Sequence, residues 1–284
     1  MRLHGLAALA AFLLCATCAC GGTQTVVTQI DLSPSGPEDV SWSLDGSRMA
    51  FSGEAGELFV LDLRTHAVQD IGAGSQPDWS PDGKRLAFSS EAAIVVADVH
   101  GKHRRKVAEA SVDTQSAESP DWSPDGSRLA YSVSGGLAPD LVLVVDFDGG
   151  EPKVVAGGEI SATGRQPAWA PEGNELVFVG DGGLVVVGAD GTGKHRLGPR
   201  VSASQPAWST DGRLIAFERI GDGISVMNAR GEGLRRLTHN EFDGSPTWSP
   251  NSRRIAFARI RPECGVFVVS VRGSRASKVT QHCD

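Results

Sequence analysis

Several things are scarce in this chain of 284 residues, and the first three scarcities each remove a class of function. Apolar runs are short. The longest, Gly5 to Leu14 within "MRLHGLAALAAFLLCATCACGG", has too few residues to span a bilayer as a lasting helix. Basic runs are shorter still, none exceeding "KHRRK" at 102–106. With a formal charge of −7, that speaks against nucleic acid or an anionic membrane surface as a partner. No G-x-S-x-G elbow, no glycine-rich phosphate loop and no long amphipathic helix occurs. Aromatic residues make up only 6%, and cysteines number five, three of them within the first 20 residues.

What is present begins with those three cysteines. A basic residue, an apolar stretch and small residues form an export signal, expected to occupy 1–19. "ATCACGG" is similar to a lipoprotein cleavage box, and only Cys20 follows a small residue, Ala19, directly. Lipidation of Cys20 is therefore the expectation, with plain cleavage nearby as the alternative. Either way export is the expectation; with Cys20 lipidated, the anchor is expected to be the only link to the membrane, placing the protein on the outer side of the cytoplasmic membrane or in the periplasm. Cleavage before Cys20 removes Arg2 and leaves 26 basic against 34 acidic side chains, a formal charge of −8. Residues 20–35 form a tether, in which "TVVTQIDL" (25–32) reads as a possible clasp strand. Cys264 and Cys283 then remain as one expected disulfide, pinning the C-terminal strand pair.

The six tryptophans are not scattered. They head six copies of one unit: "EDVSWSLDGSRMAF" at Trp42, "QPDWSPDGKRLAF" at Trp79, "SPDWSPDGSRLAY" at Trp122, "QPAWAPEGNELVF" at Trp169, "QPAWSTDGRLIAF" at Trp208 and "SPTWSPNSRRIAF" at Trp248. The spacings are 37, 43, 47, 39 and 40 residues. A period near 40, filled with short apolar runs and turns, predicts a β-propeller. Each unit reads as a strand ending at Trp, an Asp-Gly turn, a second strand ("RLAF"), a third ("AIVVADV") and a weaker fourth ("HRRKVA"). The expected fold is all-β, a six-bladed propeller of four-stranded antiparallel blades over 36–284. The tryptophans are expected to wedge between blades, with an aromatic ligand lining as the rival reading. The turn acids Asp45, Asp82, Asp125 and Asp211, with Glu172 and Asn251 as variants, are read as turn formers and not metal ligands.

These residues resemble the TolB-type propeller repeat, Pro-x-Trp-Ser-Pro-Asp-Gly followed by an Ala-Phe strand, over nearly the whole mature chain. The resemblance implies the propeller fold and a partner-binding channel mouth. TolB itself carries an α/β domain ahead of its propeller, for which the fifteen or so residues after Cys20 leave no room. Partner-contact residues lie outside the repeat and are not carried over.

Function is expected where the copies differ, in the loops entering each first strand and joining strands two and three. Glu38, Asp39, Gln76, Glu118, Arg165, Gln166 and Gln205 are placed closest to the mouth, with Asp113, Arg200, His239, Glu241, Phe242 and Asp243 at its rim. No catalytic constellation, metal site or cofactor is found. His66, His100, His103, His195, His239 and His282 fall mostly in turns of different blades, and the "HGKH" pair lacks neighbouring acids. The leading expectation is a monomeric, non-enzymatic, lipid-anchored protein that receives an envelope protein or peptide. A propeller lyase or hydrolase, or a carbohydrate binder, is the rival, and would place two titratable groups with perturbed acidities together in the channel.

Mass spectrometry of the mature N-terminus is expected to find acylated Cys20, and an unmodified terminus at another residue would contradict it. Alkylation of the oxidised exported protein should label neither Cys264 nor Cys283 until reductant is added.

Overall fold

A computed structural model describes residues 37–279, apart from 54, 111–114, 138, 158–163, 181, 262 and 274. The expectations for the signal, the tether with its clasp strand, Cys20, Asp113 and Cys283 lie outside the described residues. The rest is six four-stranded antiparallel sheets, each built from one contiguous stretch of chain with its strands in sequence order. The innermost strands are Pro37–Trp42, Ser75–Trp79, Ser116–Trp122, Arg165–Trp169, Ala203–Trp208 and Asp243–Trp248. All six end on the repeat tryptophan.

The Asp-Gly turns form as their chemistry dictates. Asp82 Oδ1 accepts from Ser80 Oγ at 2.6 Å and from the Lys84 N–H at 3.1 Å, while Gly83 takes a φ of +65°. Blades one, three and five repeat the arrangement through Asp45, Asp125 and Asp211. Asp45 and Asp125 are held down at about 2, first of all by hydrogen bonds from nearby serines.

The Ala-Phe pair that follows explains how the blades stack. On a strand, adjacent residues face opposite sides, so each blade turns a small side chain to one neighbour and a ring to the other. Ala50 packs in one core with Phe88, Ala87 with Tyr131, Ala130 with Phe178, Val177 with Phe217 and Ala216 with Phe257. The sixth junction joins Ala256 to Phe51. It returns the last blade to the first with the same small-to-large fit as the other five. Each of these side chains is at most 2% exposed. A fully buried Phe contributes about 1.5–3 kcal/mol relative to an exposed one, so every junction carries its own apolar core. Among the described residues no strand is exchanged between blades, and side chains alone close the ring.

Two arginines clamp neighbouring blades at the turn end. Arg48 stacks 4.7 Å from the Trp79 ring centre and donates to the Gly83 carbonyl at 2.8 Å. Arg128 treats Trp169 and Gly173 in the same way, at 4.7 and 3.1 Å.

One glycine shows how closely the blades approach. Gly101, with φ +73°, lies so near the first blade that a Cβ there would stand 2.2 Å from the Ile71 carbonyl oxygen. Gly233, with φ +65°, has nothing within 4 Å. Gly233→Ala should cost about 1–2 kcal/mol, the left-handed backbone alone. Gly101→Ala should cost at least about 1–3 kcal/mol more, because the blades must separate. Urea unfolding of both variants checks this, and equal losses would refute the close-approach account.

Candidate functional site: the central channel

The six innermost strands surround a channel of about 460 Å³, and side chains line it in layers. Nearest the loop-rich face stands a belt of Asp39, Gln76, Ser119, Gln166, Gln205 and Ser245. Next come Val40 and five prolines, then Ser41, Asp78, Asp121, Ala168, Ala207 and Thr247. The six tryptophans follow, and Leu44, Pro81, Pro124, Pro171, Thr210 and Pro250 form a collar at the turn end.

The belt has a backbone cause. In blades two to six the residue before proline has a φ between +49° and +53°, and the register with the second strand slips at that point. Such a bulge re-aims a side chain and leaves a main-chain N–H unpaired. Here the preceding blade satisfies it. Asp39 Oδ2 accepts from Gln76 N–H at 3.2 Å, Gln76 Oε1 from Ser119 N–H at 2.9 Å, Gln166 Oε1 from Gln205 N–H at 3.0 Å and Gln205 Oε1 from Ser245 N–H at 2.7 Å. Ser132 Oγ serves the Gln166 N–H at 3.4 Å. Ser245 Oγ closes the circle by donating to the Glu38 carbonyl at 2.7 Å and to Asp39 Oδ1 at 3.2 Å.

A second circle lies deeper. Asp78 Oδ2 accepts from Trp122 N–H at 2.8 Å, Asp121 Oδ2 from Trp169 N–H at 2.7 Å and Thr247 Oγ1 from Trp42 N–H at 3.4 Å. Asp78 also accepts from Ser41 Oγ at 3.2 Å. The indole N–H groups of Trp79, Trp169 and Trp248 donate to the carbonyls of Ser41, Asp121 and Ala207. Those of Trp42, Trp122 and Trp208, in the alternate blades, are buried without a partner. The tryptophans thus pack in the blades and also form channel wall. Four are 5% exposed in the blade cores, Trp42 and Trp208 are half-buried, and all six still form channel wall.

Asp78 and Asp121 are the electrostatic centre. Both are half-exposed to the channel lumen but enclosed by protein. Confinement, chiefly loss of solvent, pushes Asp78 from 3.8 to about 6, against the pull of its hydrogen bonds. Asp121 is pushed up further, by confinement and then by the charge of Asp78. Burial raises Asp39 as well. Among the described residues no lysine, arginine or histidine lines the channel.

The expected mouth residues divide. Asp39, Gln76, Gln166 and Gln205 line the channel. Glu38, Glu118 and Arg165 do not. Glu118 accepts from Ser134 Oγ at 2.7 Å, and Arg165 pairs with Asp140 at 2.6 Å. The bulge is the reason, since it turns only the residue before proline inward. Arg200, His239, Glu241 and Phe242 are exposed on the loop-rich side, away from the lining. Asp243 is fully buried in a two-point ion pair with Arg259, one arm at 2.9 Å, so it offers no rim charge. Cys264 is half-buried beside the strand Gly265–Ser270. The "HGKH" turn does have an acid: Asp98 accepts from His103 Nδ1 at 2.8 Å and from two main-chain N–H groups. Among the described residues no group of three or more His, Cys, Asp or Glu could hold a metal ion.

Ser119, Ser245, Asp78 and Asp121 were missed. Their signal was in the repeat, as the variable residues before proline and before tryptophan.

A family model described as the TolB β-propeller domain matches residues 76–283. Among solved structures the chain is similar to TolB from Acinetobacter baumannii, at 19% identity and a TM-score of 0.64, covering 84% of this chain and 62% of that one. The chain thus spans less than two thirds of that TolB. It is also similar to an oligogalacturonate lyase from Vibrio parahaemolyticus, at 13% identity and a TM-score of 0.61, covering 92% and 80%. A gluconolactonase from Xanthomonas campestris matches at 14% identity and a TM-score of 0.65, covering 80% and 84%. These likenesses are of fold. No curated protein matches the chain.

The raised pKa of Asp78 has a definite sign in stability. Its folded value lies above the unfolded one, so folding is favoured below about pH 4 and that advantage is lost as pH rises through about 6. Asp78→Asn keeps an acceptor for Trp122 without the charge. Relative to wild type it should gain roughly 1–2 kcal/mol between pH 4 and pH 7.5, discounted for channel water. Thermal unfolding of both proteins across that range measures the difference, and a constant difference would remove the strained carboxylate.

Proposed function

Because the chain belongs to the family of TolB β-propeller domains, we propose that it is a non-enzymatic binding protein whose channel mouth receives a segment of another envelope protein or a peptide. The observation that carries this reading is the lining itself. Amide, hydroxyl and carboxylate groups ring the loop-rich end, and indoles and prolines ring the other. That mixture suits a polypeptide, which brings main-chain hydrogen-bonding groups and apolar side chains together. Among the described residues the lining holds no histidine, lysine or cysteine to serve as base or nucleophile. In this reading the protein is exported, tethered through lipid on Cys20, monomeric, and pinned at its C-terminal edge by a Cys264–Cys283 disulfide.

A second reading has one specific support. Asp78 and Asp121 are adjacent carboxylates with raised pKa inside the channel, the arrangement expected of a propeller enzyme. The oligogalacturonate lyase and gluconolactonase of like fold keep that reading in play. Against it, each carboxylate already accepts a tryptophan N–H from the next blade, which accounts for both residues structurally.

Photo-crosslinking tests the leading reading. A photoreactive residue at Phe242, exposed on the loop-rich face, should capture a discrete partner from envelope preparations. The same residue at Lys84, exposed on the turn face, should not. Equal capture at both sites, or capture at neither, would count against a loop-side mouth.

A further inference from the structure

The channel is aromatic and carries charge of one sign. Its ionisable lining residues are Asp39, Asp78 and Asp121, all carboxylates, and every tryptophan of the chain stands in its wall. Arg48 and Arg128, which stack on two of those indoles, are not part of the lining. A volume of about 460 Å³ falls within the usual range of ligand sites, about 300–1,000 Å³. A narrow cleft with one sign of charge concentrates the opposite sign. Indole is the ring that attracts cations most strongly. Two neighbouring carboxylates with no cation between them disfavour each other's charge, and an incoming cation removes that conflict.

We infer that the channel is a receptor for an alkylammonium or guanidinium group, carried on a lysine or arginine side chain of the partner segment. The partner half of this inference rests on the reading proposed above; the cation half does not. The reach fits. Asp78 lies two residues along the strand from Gln76, at most about 7 Å, which an extended four-carbon lysine stem spans. A segment seated at the belt would therefore deliver its charge to Asp78 and Asp121. Gln76 and Gln166 use Oε1 within the belt, and their amide NH₂ groups make no hydrogen bond among the described residues. They are available to the segment's carbonyls.

Since all six tryptophans stand in the channel wall, tryptophan fluorescence, excited selectively over the single tyrosine, reports on this site. The test compares quenching by cationic N-methylnicotinamide, neutral acrylamide and anionic iodide at pH 8 and low salt, each normalised to the urea-unfolded chain. The cation should quench folded wild type at least threefold better than acrylamide, and iodide worse. In Asp78→Asn/Asp121→Asn the cation's excess should vanish. If thermal unfolding shows that the double variant is not folded, each single variant should lose about half of it. At pH 5 the wild-type excess should fall, because Asp78 takes up a proton and no basic group faces it. No excess in folded wild type, or an excess that survives in the folded variants, overturns the inference.

The source of the cation is tested by displacement of the quencher. A short Gly-Ser peptide with one central lysine should displace it at least tenfold better than its acetyl-lysine twin. Displacement by spermidine but not by the lysine peptide would overturn the side-chain assignment. None of these readings needs a partner, so failed crosslinking at Phe242 and failed cation selectivity are separate results.

Discussion

The innermost strand of each blade is a sheet edge, and an edge leaves main-chain N–H groups with nothing to bind. Much of the channel wall is the answer to that constraint. The bulge before proline and the strand end at tryptophan both present a donor toward the neighbouring blade, and side chains of that neighbour accept. Gln76, Gln166 and Gln205 serve the first position, and Asp78, Asp121 and Thr247 serve the second. The polar lining is therefore the ring's own hydrogen bonding seen from inside. Any ligand in the channel meets groups that already hold the blades together.

This dual duty explains why architecture was legible in the sequence and the site only partly so. Trp-Ser-Pro-Asp-Gly and Ala-Phe repeat because each serves a local requirement: a turn, a wedge, a small face against a large one. Such requirements recur in every blade and so announce themselves. Gln76, Gln166 and Gln205 were found because they stand at the start of the first strand, in the loops that enter it. Ser119 and Ser245 occupy the same position but read as loop serines. Asp78 and Asp121 sat inside the repeat, where Ala168 and Ala207 made the position look unimportant.

Glu118 and Arg165 failed for a geometric reason. Alternation along a strand cannot be counted through a bulge, and each blade has one at that point. Among the rim residues, Asp243 is withdrawn by pairing. Asp243 reads as a free surface charge until Arg259, 16 residues later, is folded against it. Loop charge is visible in a sequence, but its partner across a hairpin is not.

The contiguity of the blades also sets a timetable. A chain that emerges from its N-terminus completes its first blade early, with Phe51 presented on an outward apolar face. The surface that covers it, around Ala256, is 205 residues away and is made last. The five intermediate junctions each form between blades that follow one another in the chain. The final one must instead wait for the whole circle. During synthesis the first blade is thus the longest-exposed part of the molecule, and the most exposed to a neighbouring copy offering the same alanine face. The same small-to-large fit that joins the last blade to the first also makes an unfinished ring receptive to the wrong sixth blade.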